Sequence, residues 1–141
     1  MADDQRAKVE MGVKTFLEKD HDLLRRDVNE KTITAKLAFY LAPLFPDWDV
    51  DCEYNRNLED AKKLAWKQPH VLDLVVPDII IHKRGTEENF LVIEVKKLNT
   101  QGRGDDKKKL TAFKEQLGYK NTLFLTLSTK QEPFRAEYEW G

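Results

Sequence analysis

The segment that most constrains the fold of this chain is VVPDIIIHKRGTEENFLVIEVKK, at positions 75–97. Its two apolar runs flank the polar segment RGTEE, and this pattern predicts two strands joined by a turn. A turn centred on Thr86 places Asp78 directly opposite Glu94, where the Cβ atoms of paired residues approach to about 5 Å. The same register gives two further pairs, which are Ile80 with Val92 and His82 with Phe90.

Three charged side chains share one face of this predicted hairpin. Glu94 and Lys96 are two residues apart and point the same way, whereas Val95 points to the other face. Opposed carboxylates destabilise a sheet, and desolvation adds to that cost, so Asp78 and Glu94 favour a bound divalent cation such as Mg²⁺ or Mn²⁺. The backbone carbonyl of Val95 offers a further ligand. Lys96 would orient a water molecule or stabilise developing negative charge.

A simpler interpretation is that these charges lie on a solvated surface. Asp78 would then end a strand, and the EVKK segment would be an exposed strand end. The apolar neighbours favour the first interpretation, because they leave little room for a polar sheet face. Those neighbours are Val75, Val76, Ile79, Ile80, Ile81, Leu91, Val92 and Ile93.

Hydrophobic periodicity predicts the other elements around this hairpin. The predicted helices are 4–19, 30–44, a short one within 57–70, and 105–117; the predicted strands outside the hairpin are 47–56 and 122–128. Asp27 or Asn29 would cap the second helix, and Gly118 would stop the last one. Because a helix precedes 122–128, that strand could pair in parallel with an earlier one. The expected fold class is α/β, with helices flanking a mixed sheet.

Composition indicates one soluble globular domain over residues 1–141. The formal net charge of −1 excludes a chain-wide basic footprint, so a nucleic-acid partner would need local basic patches, a bound cation or a dimer that pools charge. Cys52 is the only cysteine, which excludes an intramolecular disulfide and fits a reducing cytosol. We expect a cytoplasmic protein with no membrane partner, since no signal peptide or run of about 20 apolar residues occurs.

Pro77-Asp78, followed across a hairpin by Glu94-Val95-Lys96, resembles the signature of the PD-(D/E)XK nuclease superfamily. This resemblance implies the restriction-endonuclease-like fold and a metal-dependent endonuclease that hydrolyses phosphodiester bonds. By the same resemblance, Asp78 and Glu94 would bind Mg²⁺ or Mn²⁺, and Lys96 would be the catalytic lysine.

The family core is αβββαβ, which matches residues 30–128 and leaves an extra N-terminal helix outside it. Many members add a glutamate from the helix before the sheet, and Glu30 is the matching candidate, with an expected catalytic role. Glu30 precedes Ile33 and Leu37 by three and seven residues and therefore lies on the core-facing stripe of its helix. Its place in the first turn, where the helix dipole favours a carboxylate, is also explained by an ordinary capping role.

Two groups are weaker candidates for contacts with substrate. Tyr54, Asn55 and Arg56 end the first predicted strand, although turn residues at a strand end explain them equally well. Lys109 and Gln116 are seven residues apart and share one helix face, for which an exposed helix surface is the more ordinary interpretation.

Three functional hypotheses follow from these patterns. The first is a nuclease acting on nucleic acid, DNA more than RNA, with lysine clusters at 62–67 and 107–114 that could track a phosphate backbone. A homodimer or a larger complex fits this hypothesis. The second is a non-catalytic nuclease-like module that binds nucleic acid or protein. The third, a small-molecule pocket, lacks a phosphate-cradling loop, because NTQGRG at 99–104 matches neither a P-loop nor a dinucleotide fingerprint.

Overall fold

The structure is a computed structural model that describes residues 1–52, 76–98 and 103–141. Its architecture is α/β, with a five-stranded mixed sheet and helices on both faces. The short helix predicted within 57–70 and the loop predicted at 99–104 lie largely outside the described residues, although the fourth helix already begins at Arg103.

Four α-helices and one 3₁₀ turn occur in the described part of the chain: α1 Asp3–Lys19, α2 His21–Arg25, α3 Glu30–Leu41, the 3₁₀ turn Ala42–Leu44, and α4 Arg103–Leu117. Asn29 caps α3, because its Oδ1 accepts a hydrogen bond from the Thr32 N–H at 2.9 Å. The predicted stop at Gly118 is confirmed by its φ of +73°, a left-handed conformation that glycine adopts without strain.

The five strands of the described ranges follow sequence order across the sheet: β1 Asp49–Cys52, β2 Ile79–His82, β3 Asn89–Lys97, β4 Asn121–Leu127 and β5 Ala136–Trp140. β3 and β4 run parallel, as predicted, and the other neighbouring strands are antiparallel. β5 was not predicted, although its AEYEW sequence alternates between apolar and acidic residues.

The hairpin register is confirmed at Ile80, which pairs with Val92. The pairing of His82 with Phe90 is wrong, because a bulge between Ile81 and His82 shifts His82 to Asn89. His82 lies at the end of β2 but is fully buried there, with its Nε2 2.6 Å from Asp51 Oδ2 on β1.

Arg84 supports the same corner of the sheet, since its Nε donates to Asp51 Oδ2 at 2.9 Å. The hydrogen bonds from the Arg84 guanidinium, helped by His82, outweigh desolvation and lower the pKa of Asp51.

Two apolar layers cover the two faces of the sheet. The larger layer joins α1, α2 and α3 to one face; its buried members include Val9, Val13, Phe16, Leu24, Ile33, Leu37, Leu41, Ile79, Ile81, Leu91, Ile93, Val95, Leu123, Leu125 and Leu127. The smaller layer joins α4 to the other face through Ile80, Val92, Leu110, Phe113, Tyr119 and Phe124. Within residues 1–52, 76–98 and 103–141, no helix has both the length and the apolar character to cross a membrane.

Candidate functional site

The structure brings Asp78 and Glu94 together where β2 meets β3. The Asp78 N–H donates to Glu94 Oε1 at 3.2 Å, and the Val95 N–H donates to Asp78 Oδ2 at 2.8 Å. Asp78 was expected inside a strand, but β2 begins one residue later at Ile79. At this position the Asp78 carboxylate accepts the Val95 N–H at the edge of β3, where a neighbouring strand would supply a backbone carbonyl.

Glu94 is a buried carboxyl group on the α4 face of the sheet, with 2% of its surface exposed. Burial, followed by the nearby charge of Asp78, raises the pKa of Glu94 well above its ordinary value. Lys109 on α4 opposes this shift, since its Nζ lies 3.3 Å from Glu94 Oε2. The result is a carboxyl group whose ionised form needs positive charge beside it.

Beyond Ile93, where its pairing with β2 ends, the edge of β3 is bound by carboxylates. Asp78 accepts from the Val95 N–H, and Glu30 Oε2 accepts from the Lys97 N–H at 3.1 Å. These two N–H groups lie on one side of β3 and are two residues apart, a separation of about 7 Å along a strand. Glu30 therefore approaches the same edge of β3 as Asp78, although its helix α3 covers the face of the sheet opposite to α4.

The carbonyl of Val95 also points towards this edge, because the N–H and C=O of a strand residue lie on the same side of the strand. The Val95 side chain faces the α1–α3 layer and is buried there. Its backbone oxygen is thus on the edge of β3 whose N–H groups donate to Asp78 and Glu30.

Lys96 lies on the α4 face with Glu94, and its Nζ is 3.3 Å from Asp106 Oδ2. Burial alone would lower the pKa of Lys96, but the negative charges of Asp106, Glu30 and Asp78 outweigh it and raise the pKa. Lys96 is therefore held as an ammonium group in an acidic environment.

Asp106 was missed as a site residue. The sequence predicts it only as a possible N-cap, with Asp105, of a helix beginning near residue 105, but α4 begins at Arg103 and both aspartates lie in its first turn. Its side chain is 18% exposed, as is that of Lys96, so the pair is mostly withdrawn from solvent.

Lys97 points to the face opposite Lys96, as alternation along the strand requires. Its Nζ lies 2.9 Å from Asp27 Oδ1. Lys96 and Lys97 therefore have different partners, Asp106 and Asp27, on opposite faces of the sheet.

The two weaker candidates on α4 have different outcomes. Lys109 is only 12% exposed and contacts Glu94, so its interpretation as an exposed helix residue is wrong. Gln116 is partly buried, and its Oε1 has no hydrogen-bond partner among the described residues.

The lysine cluster at 107–114 is not a uniform basic surface. Lys107 is paired with Glu139 on β5 at 3.2 Å, and Lys109 is paired with Glu94. Tyr54, Asn55 and Arg56, together with the lysine cluster at 62–67, lie outside the described residues.

The donor set at Asp78 and Glu94 fits a hard divalent cation in chemistry, since it combines two carboxylates with the Val95 carbonyl. Within residues 1–52, 76–98 and 103–141, no group of three or more His, Cys, Asp or Glu side chains is arranged to hold a metal ion. The described part of the site therefore supplies a pair of carboxylates, with Glu30 bound to the backbone beside it.

Comparison with models of protein families, with curated proteins and with solved structures found no match to this chain.

Proposed function

We propose that this protein is a divalent-cation-dependent nuclease of the PD-(D/E)XK type. The observation that carries the proposal is the buried Glu94, which meets Asp78 at the edge of β3 beyond its pairing with β2, with Lys96 on the same face. A buried carboxyl with a raised pKa beside a second carboxylate is costly to keep in a fold and is typical of functional sites.

The order of elements supports the same proposal. In the described residues, α3, β1, β2, β3, α4 and β4 follow one another as α, β, β, β, α and β. The parallel pairing of β3 with β4 also agrees with a crossover through α4. This is the order expected for a restriction-endonuclease-like core.

In the proposed mechanism, Asp78, Glu94 and the Val95 carbonyl would hold Mg²⁺ or Mn²⁺. The cation would supply a positive charge that polarises the scissile phosphate and favours ionisation of the attacking water. The Lys96 ammonium, held by Asp106 at 3.3 Å, orients the attacking water and stabilises negative charge that develops on the phosphate. Glu30 anchors the edge of β3 through the Lys97 N–H.

Lys109 acts as the internal counter-charge of Glu94 before a cation binds. Its Nζ lies 3.3 Å from Glu94 Oε2. A cation held by Glu94 would supply the positive charge that Lys109 supplies in its absence, and the two positive charges would repel each other. The Lys109 ammonium would then be available to a substrate phosphate.

The test is cleavage of labelled DNA and RNA, single- and double-stranded, with Mg²⁺ or Mn²⁺. Asp78→Asn and Lys96→Met should abolish cleavage while circular dichroism and thermal unfolding show an intact fold. Matched controls are Asp47→Asn and Lys14→Met, which remove the same charges from exposed positions outside the site. Parent-like cleavage by both site variants, or loss of cleavage in both controls, would contradict the proposal.

A second candidate function is a non-catalytic module that binds nucleic acid or protein. It is favoured by the contact of Lys109 with Glu94, which compensates the buried charge without any metal. For this module, cations should neither stabilise the protein nor support cleavage of any substrate in the panel.

A further inference from the structure

A polar cavity of about 530 Å³ opens beyond the carboxyl ends of the two parallel strands. β3 ends at Lys97 and β4 at Leu127, residues that are paired in the parallel register, and the Leu98 N–H donates to the Leu127 carbonyl at 2.8 Å. In open α/β sheets, ligands often bind in the crevice outside the carboxyl ends of the strands. Its size is within the range of small-ligand sites.

Three cationic side chains line this cavity, and one of them has no ion-pair partner among the described residues. Lys97 and Lys130 share the carboxylate of Asp27, with N–O distances of 2.9 Å and 3.8 Å. The exposed Arg135 side chain makes no ion pair or hydrogen bond to any of the described residues. Only the backbone N–H of Arg135 is engaged, since it donates to Ser128 Oγ at 2.8 Å.

The backbone around the cavity is held in an unusual conformation. Among the described residues, positive φ outside glycine occurs at two positions, Asp27 with +53° and Lys130 with +74°, and both line the cavity. Aspartate occurs comparatively often with a positive φ, but lysine does not. The Lys130 N–H is fixed by a 2.9 Å hydrogen bond to the Leu24 carbonyl, which keeps its side chain at the cavity. Such strained positions concentrate at binding sites.

We infer that this cavity binds a phosphate group through Arg135 and Lys130. The guanidinium offers paired N–H donors that match phosphate oxygens, and the Lys130 ammonium adds a second charge. Lys97, which lines the cavity, also donates its backbone N–H to Glu30 at 3.1 Å, on the edge of β3 that binds Asp78. The source of this phosphate rests on the proposed nuclease function: it belongs to the nucleic-acid strand that enters the site.

The binding test uses fluorescence anisotropy of a labelled single-stranded DNA oligonucleotide in EDTA, so that no cleavage occurs. Arg135→Gln should weaken binding roughly tenfold, as the loss of one charge-assisted contact predicts. It should also reduce the slope of log K against log salt by about 0.7, the value for one phosphate contact on a single strand. Lys130→Gln should act in the same direction. Lys14→Gln, which removes an exposed charge on α1, should leave affinity and slope unchanged.

A second arm identifies the source of the phosphate by competition with inorganic phosphate and with a nucleoside 5′-monophosphate. If Arg135→Gln weakens binding of these small anions but leaves oligonucleotide binding unchanged, the nucleic-acid assignment is overturned. If both cavity variants bind every probe like the parent, the phosphate site itself is overturned.

Cleavage assays separate this inference from the proposed function. The expected result is that Arg135→Gln raises KM and preserves kcat. Oligonucleotide binding that depends on Arg135, in a protein that cleaves nothing, would support the cavity and contradict the nuclease. Cleavage with unchanged KM in both cavity variants would support the nuclease and contradict the cavity.

Discussion

Replacement of Glu94 by glutamine should separate the electrostatic cost of the buried pair from its capacity to bind a cation. Glutamine has nearly the same volume as glutamate. Its amide oxygen can still accept the hydrogen bond that the Asp78 N–H donates to Glu94 Oε1 at 3.2 Å. The substitution removes the ionisable group and its charge, while the hydrogen bond and the packing are kept. Any change in stability therefore reports on charge.

Without a divalent cation, the sign of the pH dependence follows from the raised pKa of Glu94. The unfolded chain loses this proton near the ordinary value of about 4.3, whereas the folded protein retains it to higher pH. The unfolded state binds fewer protons over that interval, so the free energy of unfolding falls as pH rises from the unfolded to the folded pKa. Each unit of difference corresponds to about 1.4 kcal/mol. Glu94→Gln lacks this loss, and its stability relative to the parent should increase with pH.

With a divalent cation, the order of stability should reverse. At a free concentration one hundred times Kd, binding to the folded state adds about 2.7 kcal/mol to the free energy of unfolding. For a chain of 141 residues, with an unfolding entropy of about 2.1 cal/mol/K per residue, this is an increase in Tm of roughly 9 °C. Glu94→Gln removes one of two carboxylate ligands and should show little or none of this increase.

The assay is thermal and urea unfolding at several pH values, with EDTA and with increasing Mn²⁺ or Mg²⁺. Glu10→Gln on the exposed surface of α1 serves as the matched control and should keep the parental increase in Tm. An equal increase in the parent and in Glu94→Gln would show that the cation binds elsewhere. No increase in the parent would refute the metal site and favour the non-catalytic module.

Three other predictions concern the surroundings of the site and the fold. Asp106→Asn removes the negative charge beside Lys96, so the pKa of the Lys96 ammonium should fall. NMR titration of the Lys96 Nζ in the metal-free protein measures this change, and an unchanged pKa would contradict the positioning role of Asp106. The pKa of Asp51 is lowered first by its hydrogen bonds from Arg84, so the ionised carboxylate stabilises the fold above about pH 4 and this stabilisation is lost as pH falls through the folded pKa. Asp51→Asn should therefore be less stable than the parent at neutral pH and approach the stability of the parent in acid, as measured by urea unfolding. Gly118→Ala meets no atom within 4 Å but must adopt a φ of +73°, so it should cost about 1 kcal/mol in urea unfolding, and parental stability would contradict the strain.

The sequence predicted the central pair because alternation and turn position together define a strand register. Once Ile80 was placed opposite Val92, Asp78 and Glu94 had to meet, and a one-residue slip would have moved an apolar side chain out of the core. The bulge at His82 was not predictable in this way, because it adds a residue without disturbing the apolar pattern. The pairing that mattered lies on the side of the hairpin that the bulge does not affect.

The contacts from α4 could not be read from the sequence. The helical period shows which residues share a face, but the rotation of α4 over the sheet is set by the packing of Phe113 and Leu110 against Val92. That packing, not local sequence, places Lys109 beside Glu94 and the first turn of the helix beside Lys96. The strand β5, in contrast, has a period of two in its AEYEW sequence, and this alternation is sufficient to predict a strand there.

The charges gathered by this packing bear directly on the choice between the two functions. A protein that needed only a stable fold could place an apolar side chain at the position of Glu94, since replacing a buried ion pair by apolar residues often leaves stability unchanged or increases it. The pair with Lys109 thus explains how Glu94 is tolerated, but it does not explain why a carboxylate is there. The second carboxylate of Asp78 adds to the cost, because its charge further raises the pKa of Glu94. A cation would compensate both carboxylates together. Among the described residues, the Lys109 ammonium is paired with Glu94, and the Lys96 ammonium, which the charge of Asp78 also influences, is paired with Asp106. This division of positive charge between two lysines favours a site built for a cation over one built only for stability.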